Sequence, residues 1–437
     1  MKCKECGAKI NKETEKCPKC NAILDNKTET KKKIRTTEEK KKLKIMFIIY
    51  SLVIVAVLGV GLYFLFATPE EPPVPSAFDT SAYAKQQKEE NAFQYSDSVV
   101  EINSKVFASD SEKITVRNVG KNDETTLIKG HFEPGIVTDG KTVYYFDLDS
   151  KSIKSLNVKT KKSKEIIKVE DHIKPDEKSS SPEYTFARFD GMYKDYLYYQ
   201  VQEGEEYMPN YMVNVKTGKV KKLALAEYGT YKLQIAGGKL YFDIFRTVNA
   251  PTVLYTANPD GSNVEVLVEG VSNFEVIGEK LYYFKVNMED MLARKNTHKI
   301  MCYDIKEKKH KVIKENMEYV HGGFTSYGMV YDKTLGGSVN AVIEYYDGGG
   351  EALNGNGVKT CGDVAIIHAG IPEDISSDKA MEQAKVPEWY VVGNKACSKL
   401  ITLPENTTPV NFKDGYIYYH TYQEDGCVII NRTKVEY

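Results

Sequence analysis

Hydrophobic and polar positions alternate in short runs along most of the chain, and one kind of run recurs. DGKTVYYFDL at 139–148, YKDYLYYQV at 193–201, GGKLYFDI at 237–244, GEKLYYFKV at 278–286 and KDGYIYYHT at 413–421 each place a Tyr-rich segment after a polar or Gly-containing turn. Period-two alternation rich in Tyr, Val and Ile predicts strands that bury side chains on the faces of a stacked sheet. Weaker copies stand at YGMVYDK (327–333) and DVAIIHAG (363–370). Further runs follow the strong copies, as in SIKSLNVKTKKSKEIIKVE (152–170), TVLYTANPDGSNVEVLVEG (252–270) and KIMCYDIKEKKHKVIKEN (299–316). Thr217-Gly218, Pro259-Asp260-Gly261 and Lys-rich segments supply the turns. The unit is four strands in roughly 40–50 residues, the period of a propeller blade.

Seven blades are expected, near 131–173, 184–226, 229–269, 273–316, 319–357, 358–403 and from 408 onward. Six or eight stay open, because the fifth and sixth copies depart from the pattern. The last copy runs out at Tyr437 without an outer strand, while KITVRNVGKNDETTLIKG (113–130) has the shape of a third and fourth strand. Those N-terminal strands are therefore expected to complete the last blade and close the ring, which would otherwise leave open edges. The expected class is mainly β: a propeller of seven four-stranded blades at 113–437, preceded by smaller N-terminal segments.

The alternation breaks at Ile45–Ala67, a run of 23 residues without a charge. As a helix it would cover about 35 Å, enough for a bilayer core of about 30 Å. Its start 44 residues into the chain, its length and the absence of a small-x-small pattern before Pro69-Glu70-Glu71-Pro72-Pro73 argue against a cleaved signal peptide. Lys31, Lys32, Lys33, Arg35, Lys40, Lys41, Lys42 and Lys44 flank it on one side, Glu70 and Glu71 on the other. Basic flanks stay cytoplasmic, so the N-terminus is expected inside and the propeller outside, with the lysines against anionic headgroups of the lipid bilayer. Residues 1–44 hold 15 Lys+Arg against 7 Asp+Glu, an excess of +8; with a net charge of -1 overall, the remainder sums to -9. That acidic remainder, and a basic part confined to the membrane side, point away from nucleic acid. The divisions expected are 1–24, a basic linker at 25–44, the span at 45–67, a Pro-rich stalk and short helix at 68–112, and the propeller.

Cys3-x2-Cys6 and Cys17-x2-Cys20 are ten residues apart. Four thiolates at about 2.3 Å complete a tetrahedral Zn2+ shell with no open position, so the expected zinc ribbon is structural. Gly7 permits a tight turn after Cys6, and Pro18 restrains the second pair. A module of this size buries little core, so metal binding largely folds it.

Taken together, the Tyr-Tyr strands after Gly turns, the LY and CYD runs and the DG or KTG hairpins resemble a bacterial family of Tyr-rich-repeat extracytoplasmic propellers of unknown function. These are related in shape to TolB-like and YWTD-like propellers. The resemblance implies a propeller behind a zinc ribbon and one membrane helix. It implies no established activity, and GGG at 348–350 with NGNG at 354–357 departs from it.

Neither GxSxG nor HExxH occurs. Of the seven histidines, His131, His321, His368 and His420 fall at blade starts or on Tyr-Tyr-like strands, against His172, His298 and His310 elsewhere. His321-Gly322-Gly323 is the best placed for a ligand, although packing is the commoner use of such positions. Asp147 with Asp149, and Glu344 with Asp347, are expected to end strands and face water. Each Tyr pair (Tyr144/Tyr145, Tyr198/Tyr199, Tyr282/Tyr283, Tyr418/Tyr419) sends one ring to each sheet face, hence chiefly into core. The irregular 334–359 stretch is the expected exposed recognition loop. Cys361 and Cys397 are the better disulfide pair, Cys302 and Cys427 the worse, with buried thiols equally open. A membrane-anchored binding or scaffold protein is the expected function, its partners a protein, peptide or cell-wall glycan outside and a cytoplasmic protein at the ribbon. The alternative is a lyase or glycosidase working in the propeller channel.

Overall fold

The computed structural model describes residues 2–11, 15–24, 46, 49, 94–172, 186–201, 208–225, 230–244, 252–286, 297–318, 322–335, 338–346, 348–360, 364–369, 388–393, 398–405, 407–423 and 427–436. The chain falls into two compact units, Met1–Ala67 and Thr68–Tyr437. In the first, the described structure is a pair of turns around the four N-terminal cysteines. The linker at 25–44 and, apart from Met46 and Ile49, the run Ile45–Ala67 lie outside the described residues. No helix among those described is long and apolar enough to cross a membrane.

The second unit is antiparallel β in its described elements, apart from one 3-10 turn at Val169–Asp171. It opens with β1 (Gln94–Tyr95) and a first sheet of β2 (Val99–Ile102), β3 (Lys105–Ser109), β4 (Lys113–Asn118) and β5 (Thr125–Lys129). The second sheet comprises β6 (Val137–Thr138), β7 (Thr142–Asp147), β8 (Ser152–Asn157) and β9 (Ser163–Lys168). In the third, β10 (Ala187–Tyr193), β11 (Tyr196–Val201), β12 (Asn210–Asn214) and β13 (Val220–Lys222) are joined by β1, which pairs with β10. Seven strands follow in one sheet: β14 (Thr230–Ala236), β15 (Lys239–Ile244), β16 (Thr252–Ala257), β17 (Glu265–Ile277), β18 (Lys280–Val286), β19 (Thr297–Asp304) and β20 (Lys309–Glu318). Another seven are β21 (Gly322–Phe324), β22 (Gly328–Leu335), β23 (Ser338–Tyr345), β24 (Gly350–Thr360), β25 (Ala365–Ala369), β26 (Glu388–Val392) and β27 (Ser398–Thr402). The last sheet has three: β28 (Thr407–Lys413), β29 (Tyr416–Tyr422) and β30 (Val428–Lys434).

Each seven-stranded sheet is two units sharing a strand. β17 pairs with β16 up to Val271 and with β18 from Val271 onward. β24 pairs with β23 over Gly350–Asn354 and with β25 from Gly355. Among the described residues the six sheets thus hold eight propeller-like units: six of four strands, the third of four with β1 as a fifth, and a last of three.

Eight apolar cores lie between consecutive units. The first and second share Phe107, Ile114, Val143 and Tyr145; the second and third share Tyr144, Phe146, Leu197 and Tyr199. The series continues through Tyr198 with Phe242, Tyr241 with Tyr283, Tyr282 with Tyr331, Val330 with Ile367, and Ile366 with Phe412. Val410, Tyr416 and Tyr418 of the last unit then pack on Val99, Val106 and Ala108 of the first, which closes the ring. The two rings of each Tyr pair enter different interfaces, as their opposite faces require: Tyr144 one and Tyr145 the other, Tyr418 one and Tyr419 the other.

Three expectations are corrected. The count of seven gives way to eight units, because the first unit had been divided. Residues 113–130 form β4 and β5 beside β3 rather than outer strands of the last unit. Closure is accordingly by face packing, and strands already begin at Gln94, inside the stretch assigned to stalk and helix. The reason is local: the β2–β3 hairpin turns on Asn103 and Ser104, at φ 53 and 57. It lacks both the Gly turn and the Tyr pair that mark its relatives. The 334–359 stretch, finally, is a hairpin of β22, β23 and β24 rather than an irregular loop.

Candidate functional site

The two Cys pairs build the same local fold. Lys2 bridges Lys9 and Lys16 bridges Ile23, both antiparallel. The Cys3 N–H donates to Ala8 O and the Gly7 N–H to Cys3 O, each at 2.9 Å; Cys17 to Ala22 and Asn21 to Cys17 repeat both bonds at 2.9 Å. Gly7 (φ 69) and Asn21 (φ 49) occupy equivalent left-handed positions. Asn21 was not singled out in the sequence, although its place directly after the second Cys of its pair is the signal, Asn being among the residues that tolerate this region best.

All four Sγ atoms lie within 4.8 Å of one another. Cys3 and Cys20 stand 3.7 Å apart, Cys6 and Cys17 3.6 Å. A tetrahedron with metal–sulfur bonds of about 2.3 Å has edges of about 3.8 Å, so the donors fit a closed four-thiolate shell. The Lys19 and Cys20 backbone N–H groups hold the Cys17 thiol down to about 6, whereas Cys6 and Cys20 are raised, against bonds from the Ala8 and Ala22 backbone, by burial and the neighbouring thiols. Beyond the sulfurs the core is only Ile10, Ala8 and Leu24. The cluster is compatible with a metal site.

In the ring, polar side chains join neighbouring units, reaching in each case the first strand of the next unit or the segment just before it. The Asn411 amide donates to Asp97 Oδ2 at 2.8 Å and to Val99 O at 3.1 Å, linking last unit to first. Gln200 donates to Thr230 O at 2.8 Å and Asn210 to Thr230 Oγ1 at 3.0 Å, linking third to fourth. Gln234 donates to Glu275 at 2.7 Å and accepts from the Val276 N–H at 2.7 Å, fourth to fifth; Asn273 donates to Gly322 O at 2.8 Å, fifth to sixth. Asp190, which accepts from Gln200 at 3.1 Å and Asn210 at 3.2 Å, is pushed up to about 6 by burial, against the Arg188 guanidinium and these bonds. Burial likewise raises Asp97, with Lys359 and Lys413 opposing. None of these groups was flagged from sequence, where an Asp after a strand reads as a turn.

The histidines are dispersed. His131 is exposed, 3.3 Å from Asp149. His298 is buried in β19, and His310 bonds the Tyr283 hydroxyl at 2.9 Å and lies against Tyr303. His368 meets Trp389 edge-on at 4.6 Å. His420 is half-buried, its pKa pushed down to about 4 by burial with Lys359 adding and Asp110 opposing. His321, Cys361 and Cys397 lie outside the described residues. Cys302 is a core thiol beside Tyr282, with no disulfide to Cys427. Asp147 ends β7 and accepts from Ser150 and Lys154, as expected of a turn; Glu344 instead sits within β23, bonded by Tyr331 at 2.7 Å and by Lys314.

No family model matches the chain, and no curated protein does. Similar solved structures include a prolyl endopeptidase (TM-score 0.44, 13% identity), with 80% of this chain on 55% of that one. A second is the β-propeller domain of the Trilobed protease from Pyrococcus furiosus (TM-score 0.40, 13% identity), with 58% of this chain on 86% of that one. A third is an oligogalacturonate lyase from Vibrio parahaemolyticus (TM-score 0.45, 12% identity), with 79% of this chain on 90% of that one. The chain thus spans about half the length of the endopeptidase.

Proposed function

We propose that this is a membrane-anchored binding or scaffold protein with a structural zinc ribbon in the cytoplasm and an extracytoplasmic propeller that recognises a protein, peptide or cell-wall glycan. The observation that carries the reading is the use of the polar side chains at the unit boundaries. Asn411, Gln200, Asn210, Gln234 and Asn273 bond across unit boundaries. Side chains committed to holding the ring together serve cohesion, and recognition then falls to loops and outer strands. The uncharged run Ile45–Ala67 with its basic N-terminal flank supports single-pass anchoring and cytoplasmic placement of the N-terminus. The thiolate spacing supports zinc, held by Cys3, Cys6, Cys17 and Cys20.

Crosslinking and affinity capture from native membranes test the reading, comparing the full chain with one lacking residues 1–24. An outer-face partner retained by both is the expected result. A partner lost with the ribbon would move the function to the cytoplasmic side. Glycoside cleavage by the full chain, lost on substitution of a propeller residue, would refute a binding role in favour of catalysis.

A further inference from the structure

Three turns of the ring share a sequence and a geometry. The second, third and fifth units join their third and fourth strands through NVKTKK (157–162), NVKTGK (214–219) and DIKEKK (304–309). The first side chain caps each turn. Asn157 Oδ1 accepts from the Lys159 and Thr160 N–H groups at 3.1 and 2.8 Å, and Asn214 Oδ1 from those of Lys216 and Thr217 at 3.1 and 3.0 Å. Asp304 Oδ1 accepts from Lys306 and Glu307 at 3.1 and 2.8 Å. The fifth residue is left-handed in all three: Lys161 at φ 54, Gly218 at φ 72 and Lys308 at φ 54. Glycine meets that geometry without steric penalty, so a lysine there holds its charge against the preference of its backbone. Every lysine of the three turns is exposed.

The second residue fixes the end of the unit at which these turns lie. The Val158, Val215 and Ile305 N–H groups donate to Lys141, Asp195 and Glu279 O at 2.9, 2.9 and 3.0 Å, tying each turn to the one between first and second strands. Those turns add exposed Lys141, Lys194 and Lys280, while the exposed carboxylates of all six turns are Glu279 and Glu307. Successive turns of an antiparallel meander alternate between ends, and at the other end the sign reverses. In the described connections there, the exposed charged residues are Glu112, Asp149, Glu170, Asp171 and Glu405. Lys151, left-handed at φ 48 among them, has Glu170 at 3.1 Å. The ring also starts at the basic end, since β1 places Gln94 opposite Met192, just before the Lys194 turn. Residues 68–93 alone separate Gln94 from the uncharged run Ile45–Ala67.

We propose that the basic end docks the ring on an anionic bilayer surface, with the three lysine turns against lipid phosphates. The proposal rests on the membrane-anchored reading above and names the face and its ligand class. Charge complementarity selects an anionic surface, to which lysines are drawn within a screening length. A short tether beginning at the same end selects the bilayer, which it holds at high effective concentration.

The full chain is reconstituted into vesicles of phosphatidylcholine, alone or mixed with phosphatidylglycerol, acylated with an amine reagent and read lysine by lysine in a mass spectrometer. Labelling within 157–162, 214–219 and 304–309 should fall at least about threefold in the anionic vesicles while Lys113 and Lys151 stay constant. The protection should vanish in about 1 M salt, where the screening length is about 3 Å. Lys161→Gly with Lys308→Gly suits the backbone at both positions and should reduce protection of the remaining turn lysines about twofold. Equal labelling in the two vesicle types, an equal fall at both ends of the ring, or protection indifferent to salt overturns the proposal. So does stronger protection by soluble polyphosphate at equal phosphate, which would assign an anionic polymer instead. Flotation with the phosphatidylcholine vesicles scores the anchor separately. A chain that floats only with the anionic vesicles keeps this face and loses the anchor, and one that floats with neither loses both.

Discussion

The ring closes between its last and first units, and one buried ion pair stands at that seam. The Arg117 guanidinium bonds Asp414 and donates through Nε to the Tyr418 hydroxyl at 3.1 Å, and it lies 4.5 Å from the Tyr416 ring centre. The two charged side chains are 1% and 5% exposed, and Asp414 also accepts the Gly120 N–H at 2.9 Å. Asp414→Ala leaves a guanidinium in a dry interface with a neutral hydroxyl, the Lys121 carbonyl at 3.4 Å and an aromatic face, and no counter-charge. Breaking a buried pair in this way costs about 3–5 kcal/mol, much of it the desolvation of the orphaned charge. The midpoint of thermal unfolding should fall by about 4–7 °C, taking about 2.1 cal/mol/K per residue over a ring of about 340 residues. Trp389, the only tryptophan, packs in the neighbouring interface between seventh and eighth units and reports the transition by fluorescence. The double variant Arg117→Met, Asp414→Ala removes both charges and should recover more than half of the loss. Lys216→Ala is the control, since Lys216 and Asp195 form an exposed pair at 2.8 Å that is worth about 1 kcal/mol or less. Should Asp414→Ala cost no more than Lys216→Ala, or should the double variant be worse than the single, the seam is not held by charge and the reasoning fails.

Three further outcomes are expected. Cys17→Ser should abolish one-to-one zinc binding measured by metal content, and Gly7→Ala should weaken it through about 1 kcal/mol of left-handed strain, whereas Asn21→Gly should leave it unchanged. Buried His420 is held neutral, so the stability it contributes is complete above its ordinary 6.5 and lost as pH falls toward about 4; in denaturant titrations His420→Gln should remove that loss. Asp190 has the opposite sign: its contribution is complete below 3.8 and lost as pH rises through about 6, so Asp190→Asn should gain on the native protein across that window.

The Tyr pairs made most of the ring legible because their chemistry and their geometry coincide. Adjacent residues on a strand must face opposite ways, and in a stack of sheets both ways are core, so Tyr198 and Tyr199 mark one blade and two interfaces at once. Two places hid the same architecture. At Asn103-Ser104 the turn uses positive φ without glycine. At 348–357 glycine is abundant for a reason other than a loop. A Cβ on Gly350 would come 2.4 Å from Ile343 O and one on Gly355 2.4 Å from His368 O, so these positions admit close approach between paired strands. Gly357, at φ 68, lies where the β24–β25 register shifts. The thiol cluster was legible from spacing alone, since two Cys-x2-Cys turns ten residues apart can bring their four sulfurs together. The polar links between units were not, because nothing in a single Asp or Asn tells whether it ends a turn or crosses an interface 20 to 300 residues away.

Those links also explain how a ring of such variable sequence keeps its closure. An apolar interface accepts many residues of similar volume, so by itself it specifies order between units weakly. A buried amide specifies its neighbour, because a misplaced unit would leave its donors unpaired at about 1–3 kcal/mol each. Gln200 and Asn210 reach Thr230, Gln234 reaches Glu275, Asn273 reaches Gly322, and Asn411 returns to Asp97 and Val99. At the final seam an ion pair accompanies the amide, as Lys232 with Glu275 does between the fourth and fifth units. The final junction alone joins residues about 300 positions apart, with Arg117 meeting Asp414, and among the described residues its last sheet has three strands. There the ion pair adds a further condition on which units meet, since either charge left unpaired in that buried interface costs about 3–5 kcal/mol.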